Sequence, residues 1–302
     1  VNGSFSLPLK LYYGPNKYKL LKTYGQGYQD VVDFGWGIFG WIGRGVVIPI
    51  FNWLEQYGIN YGIIILIMAL ILKIVLFPLT YTSYKSMAKM RVLKPEMDEL
   101  NEKFKGKDAT KKNQAVMELY KQAGVNPLGG CIPMLVQMPI LIAMFRFFPA
   151  SIELRQQSFL WASDLSSYDS IISWQAQIPI LSEFYGNHIS LFTVLMTIST
   201  LIYTWMNSQM QGNTNQIPGM KYIMYGMPIM LLFWFNSYSS GLSYYYLVAN
   251  VITFSQQWLI RKTVDDDAIH AKLQAKRAQP RKKSKFQQRL EDMQNQGKKL
   301  PK

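Results

Sequence analysis

From Tyr61 to Thr80 the chain reads YGIIILIMALILKIVLFPLT, 20 residues interrupted by a single charge. As a helix this run would be about 30 Å long, enough to cross the hydrocarbon core of a bilayer. Runs of similar apolar length lie at 127–148, 188–207, 218–235 and 242–260, so five spanning helices are expected. Upstream, Phe34, Trp36, Phe39, Trp41, Val46, Val47, Ile50, Phe51 and Leu54 are apolar, but five glycines, Arg44 and Pro49 interrupt them. Tryptophans and a central Arg suit the headgroup layer, which predicts an interfacial amphipathic helix over residues 31–57 rather than a span. Residues 1–30 alternate apolar and polar positions around Gly14-Pro15 and Gly25, the pattern of a β-hairpin at the end of a β domain.

Between the first two spans, Met87, Met90, Leu93, Met97, Leu100 and Phe104 recur every three or four residues. Gly106-Lys107-Asp108 punctuates, and Ala115, Val116, Leu119 and Tyr120 resume before Gly124. This pattern predicts a helical hairpin over residues 82–126. Its methionines could line a flexible docking arm for a client segment, or simply hold the two helices together. The fold class expected is thus an all-α integral membrane protein, a five-helix bundle over residues 58–262 with a hairpin and an interfacial helix.

Charge sets the orientation. The hairpin carries Lys85, Lys89, Arg91, Lys94, Lys103, Lys105, Lys107, Lys111, Lys112 and Lys121, the loop after the second span offers Arg155, and the segment beyond Ile260 carries thirteen more basic residues. By the positive-inside rule the hairpin and the C-terminus are cytoplasmic, and residues 1–57 and 150–187 lie outside. The basic segment 263–302 reads as a tail, with Lys272–Lys302 disordered. It could contact ribosomal RNA electrostatically or anchor to anionic lipid. The chain opens at Val1 without an initiator Met or a signal pattern, the reading expected of a fragment or mature form.

Candidate chemistry starts with Lys73, because a charge inside a span is costly unless hydrated, paired or able to snorkel. Snorkelling to the headgroups is one solution. A polar interior is the other, and neighbouring spans offer one. Thr193, Thr197, Thr200, Thr204 and Asn207 follow helical steps in the third span; Tyr246, Asn250, Thr253 and Gln257 do so in the fifth; Gln137 stands alone in the second. Threonines so spaced can also bond back to their own helix. Turned toward Lys73, these faces would line a positive, water-containing groove open to the cytoplasm. It would receive the polar, acidic leading stretch of a nascent membrane protein, while the following apolar segment passes into the phospholipid bilayer.

Other chemistry finds little support. Cys131 is the sole cysteine, and His188 and His270 have no acidic cluster near them, so no metal, cofactor or catalytic triad is expected. No Asp or Glu falls within a span, which argues against a cation-coupled transporter, and no GxxxxGK[ST] motif is present. A channel or small-solute transporter with a cationic cavity is the alternative, but the halves show no internal similarity of the kind inverted repeats leave.

Three blocks carry a resemblance: LFPLTYTSYKSMAKMRVLKPEMDEL at 76–100, LYKQAGVNPLGGCIPMLVQMPILIAMF at 119–145, and FWFNSYSSGLSYYYLVANVITFSQQWLI at 233–260. In order and spacing they resemble the YidC/Oxa membrane protein insertase family. The resemblance implies a bacterial inner-membrane insertase and chaperone, not an enzyme, active in Sec-independent insertion and beside the Sec translocon, with the ribosome as a further partner. It also implies a preceding span and a large periplasmic domain. Lys73 falls where the family places its groove basic residue, usually Arg; Tyr245 and Tyr246 fall on the paired aromatic positions, and Gln137 on the polar position of the second span. Lys in place of Arg gives up the five-donor planar fork. Ala69 stands where some relatives carry a hydroxyl. The groove residues expected are Lys73, Gln137, Thr197, Thr204, Tyr245, Tyr246 and Asn250.

Overall fold

The computed structural model describes residues 11–104, 109–130, 132–177, 179, 181–210 and 219–278. Within the first thirty residues the described part is helical where a hairpin was expected. Helix α1 (Tyr18–Tyr24) buries Leu21, and Tyr18 sets its ring edge against Phe34 at 5.5 Å. Gly25, read as a strand turn, instead takes φ +68° and ends α1. Glycine enters that region without a Cβ clash, so the same residue serves either purpose. Residues 1–10 lie outside the described set.

Helices α2 (Gly37–Ile42) and α3 (Ile48–Glu55) join through a π-helical turn, Gly43–Val47, into one 19-residue helix. Pro49 has no N–H for the ladder, and the wide turn lies immediately before it. Val47, Ile48, Phe51 and Leu54 face inward, while Trp36, Ile38, Trp41 and Trp53 are exposed. At 19 residues and mean hydropathy 1.3 this helix has the length to span as well as to lie flat. Lys17 ties the N-terminal segment to it: the ammonium sits 2.7 Å from Glu55 Oε1 and 3.5 Å from Glu153 Oε1.

The first expected span is not straight. Helix α4 (Tyr61–Val75) begins where the Asn60 side chain accepts from Gly62 N at 2.8 Å. It ends after 15 residues, and α5 (Phe77–Val92) departs from it at 59°. Pro78 explains the break, because it has no N–H to give the carbonyl four residues earlier. The expected 61–80 helix therefore falls into two arms. Helix α6 (Lys94–Lys103) and α7 (Ala109–Ala123) continue the chain. Met87, Met90, Leu93 and Met97 bury themselves against Val116, Leu119, Tyr120 and Ala123, and Tyr120 donates its hydroxyl to Met97 Sδ at 2.8 Å. The methionine stripe thus packs inward, as the second of its two readings had it.

Helix α8 (Ile132–Ala150) is followed by a long loop, residues 151–190, with a two-residue β1 (Ile172–Ser173), the short α9 (Leu181–Phe184) and β2 (His188–Ile189), paired antiparallel with β1. Then come α10 (Leu191–Met210), α11 (Met220–Phe235), α12 (Ser240–Thr263) and α13 (Asp266–Ala278). His188 belongs to β2, not to the third span, and Cys131 lies outside the described set.

A buried polar network clamps this loop onto the helix ends. Asp169 accepts from Trp161 Nε1 at 2.9 Å, from Phe192 N at 3.1 Å and from the Ser190 hydroxyl. Asn236 holds Ser190 N, Tyr185 O and His188 O. Helix α12 is the central element, packed against both α10 and α4. Beyond it α13 folds the first part of the expected disordered tail onto the hairpin. Ile269 and Leu273 join the methionine cluster, and Arg91 grips both oxygens of Asp266 at 2.7 and 2.8 Å. Two apolar positions four residues apart suffice for this, despite the basic surroundings. Residues 279–302 lie outside the described set.

Candidate functional site

Lys73 sits in the last turn of α4, just before the break. Its Nζ lies 3.3 Å from Gln137 Oε1 on α8, and among the described residues no ion pair links it to a carboxylate. Gln137 in turn neighbours the hydroxyl of Tyr245, which α12 buries at 1 % exposure. The structure therefore brings together Lys73, Gln137 and Tyr245 from three helices. A lysine held by a neutral amide has no counter-charge from that partner, which is the chemistry of a site for an anionic or strongly polar guest.

The threonine row behaves differently. Thr197 donates to Thr193 O at 2.8 Å, Thr200 to Met196 O at 2.8 Å and Thr204 to Thr200 O at 2.9 Å, each to its own helix. Thr253 does the same toward Ala249 O. Thr193 belongs to the network that holds the 151–190 loop, bonded to Ser190 and Ser243. Asn250 does cross between helices, donating to Ser199 Oγ at 2.9 Å and Thr200 Oγ1 at 3.0 Å. Tyr246 packs edge-on against Tyr245, and its hydroxyl is buried without a partner. Two polar groupings result, Lys73–Gln137–Tyr245 and Asn250–Ser199–Thr200. Helix α12 contributes to both, and no hydrogen bond among the described residues joins them.

Two polar residues, Gln256 and Ser83, escape a reading of periodicity, whereas Gln257 stands on the α12 stripe that periodicity picks out. Gln256 donates to the Lys73 backbone carbonyl at 3.1 Å, and Ser83 and Gln257 each carry a buried oxygen without a partner. Gln256 is one residue off the α12 stripe, so spacing passes it over. Its signal is only that it belongs to the polar trio Ser255-Gln256-Gln257 near the end of an apolar helix. Arg146, the single charged residue of α8, lies near the end of that helix and pairs with Asp33 at 3.0 Å.

Comparison with known proteins bears on the whole arrangement. The model of the family described as 60Kd inner membrane protein matches residues 53–267. The chain is 51% identical to the membrane protein insertase YidC of Parabacteroides distasonis over 304 residues, covering 97% of this chain and 48% of that protein. It is 48% identical to the YidC of Amoebophilus asiaticus over 285 residues, 94% of this chain and 46% of the relative. It is 46% identical to the YidC of Bacteroides fragilis strain YCH46 over 302 residues, 96% and 48% respectively. The chain spans about half the length of the curated relatives it matches. With a matched region that holds both halves of the broken helix, the hairpin and the Lys73 site, the chain belongs to the 60Kd inner membrane protein family, that of the YidC membrane protein insertases.

Proposed function

We propose that this chain is the working part of a bacterial inner-membrane insertase that guides nascent hydrophobic segments into the bilayer through a positively charged groove open to the cytoplasm. The observation that carries the reading is the Lys73 ammonium, held by the neutral Gln137 at 3.3 Å between α4 and α8. An acidic leading stretch of a client gains a counter-charge there part-way into the membrane, and transfer of the following apolar segment into lipid supplies the driving free energy. Arm α4 is 15 residues long, about 22 Å by helix rise and short of a full hydrocarbon core. That shortness favours a locally thin barrier beside the groove. Tyr245, Tyr246, Asn250, Thr197 and Thr204 line the same side in this reading, with the hairpin and C-terminus cytoplasmic. The ribosome, the Sec translocon and the surrounding lipid are the partners.

The test uses the full-length protein in vesicles with a client whose leading segment is acidic. Lys73→Glu replaces attraction by repulsion and should lower insertion about tenfold or more, since each 1.4 kcal/mol is a factor of ten. Undiminished insertion would remove Lys73 from the mechanism.

A further inference from the structure

We propose that Gln256 is a positioning residue for Lys73: by holding the backbone carbonyl of Lys73 from α12, it fixes the broken end of α4 so that the ammonium meets Gln137. Building on the groove reading above, the inference names a part that supports it.

Lys73 is held at both ends. Its side chain reaches Gln137 Oε1 on α8 at 3.3 Å, and its main-chain oxygen accepts from Gln256 Nε2 on α12 at 3.1 Å. The second contact has only one chemical sense, because a carbonyl can only accept and so the amide end that faces it must be NH2. This contact stands beside a break in the helix. Leu76 N–H still turns back to Leu72 O, but Pro78 has none to offer, and the chain bends by 59°. The carbonyl deprived by Pro78 is that of Ile74; the Lys73 carbonyl next to it, whose helical partner would be Phe77 across the break, accepts from Gln256. Fixing the peptide plane between Lys73 and Ile74 also fixes the direction of the Lys73 Cα–Cβ bond. The staggered side-chain torsions then leave the ammonium a small set of end points, of which Gln137 is one.

The geometry of Gln256 suits this role. It is 8% exposed, and its Oε1 has no partner. One acceptor is therefore left unmatched in a buried place, a cost that mere filling of space would not require. Gln257, the next residue, is a built-in comparison. It is 4% exposed and likewise leaves Oε1 unpartnered, but it faces Asn207 on α10 at 3.4 Å and makes no hydrogen bond to α4.

The experiment places spin labels at the exposed positions Ile63 and Lys85 of the full-length protein, one on each arm of the bend, in a Cys131→Ser background. By helix rise the two sites are about 29 Å apart along a path bent by 59° and about 33 Å apart if the arms align. Gln256→Met, similar in length but unable to donate, should broaden the distance distribution and shift it by up to about 4 Å toward the straight value, by the same helix rise. Gln257→Met should leave it as in the parent. An unchanged distribution in Gln256→Met, or equal broadening in both variants, would overturn the proposal. The same variants assayed for insertion separate the two ideas. A bend that moves with no loss of insertion keeps the positioning role and defeats the groove reading. A loss of insertion confined to Gln256→Met, together with the shift, supports both.

Discussion

Lys73 is the residue on which the chemistry turns. Its partner is an amide, which gives the ammonium lone-pair company without a counter-charge. Arginine in its place would present five donors in a planar fork and could keep Gln137 while gripping a carboxylate with two parallel bonds. Lys73→Arg should therefore insert an acidic client at least as well as the parent, measured as protected fragment per unit time in vesicles; a loss comparable to that of Lys73→Glu would mean that shape rather than charge matters there. The charge was legible in the sequence because a lone cation stands out in an apolar run, and so was Gln137 for the same reason. Their pairing was not, since it depends on how α4 crosses α8. The threonines show the opposite case. Their periodicity was plain, but a hydroxyl at helical spacing can bond the carbonyl four residues back as readily as face a groove, and Thr197, Thr200 and Thr204 all do so.

At the scale of elements, the hairpin holds together through its methionines. Met97 is 1% exposed, packed within the cluster that joins α5, α6, α7 and α13, and accepts the Tyr120 hydroxyl. Burial also pushes the Tyr120 hydroxyl above its usual range, as expected of a phenol kept from water. Met97→Ala should cost roughly 2–5 kcal/mol locally, the range for a large-to-alanine change in a packed core. Limited proteolysis would show it as faster cutting within residues 94–123, with the spans intact; unchanged cutting would mean the cluster is loosely held. Burial draws the Lys17 ammonium down, but the Glu55 and Glu153 carboxylates outweigh that and raise it above the usual lysine value. The folded state therefore binds that proton more tightly than the unfolded chain. Its contribution is complete at neutral pH and is lost as pH rises through the raised value. Amide exchange over residues 11–24 should accelerate in that alkaline window in the parent and lack this step in Lys17→Met; identical profiles would deny the ion pair any part in holding the segment. The hairpin's periodicity was legible as a helix signal. The break at Leu76 was underread although Pro78 was in view, because the apolar run continues across it and a proline near a helix start is also compatible with a new helix.

Across the whole molecule, α12 does most of the organising. It touches α4 through Gln256, α10 through Asn250 and the 151–190 loop through Ser240 and its cap Ser239, which donate to Asp164 O and Leu165 O. The loop over residues 151–190 is held by buried hydrogen bonds around Asp169 and Asn236, while Trp174 Nε1 and Asn187 Oδ1 within it are buried without partners. Ser83, Gln256 and Gln257 likewise carry buried oxygens without partners, and of these Gln256 is the one bonded to the Lys73 main chain. Buried polar atoms without protein partners are the ones water satisfies, and in the groove reading proposed above water would reach Gln256 and Gln257. Helix positions were legible from apolar length. The loop clamp was not, because its members come from four separated segments whose meeting no local pattern announces.

The central claim is that water reaches the Lys73 region from the cytoplasmic side. It is tested most directly by a membrane-impermeant thiol reagent applied from that side to single cysteines at Gln137, Asn250, Leu66 and Leu70 in a Cys131→Ser background. Gln137→Cys and Asn250→Cys should label, whereas Leu66→Cys and Leu70→Cys, on the exposed apolar face of α4, should not. Labelling at 137 and 250 no faster than at 66 and 70 would contradict the account.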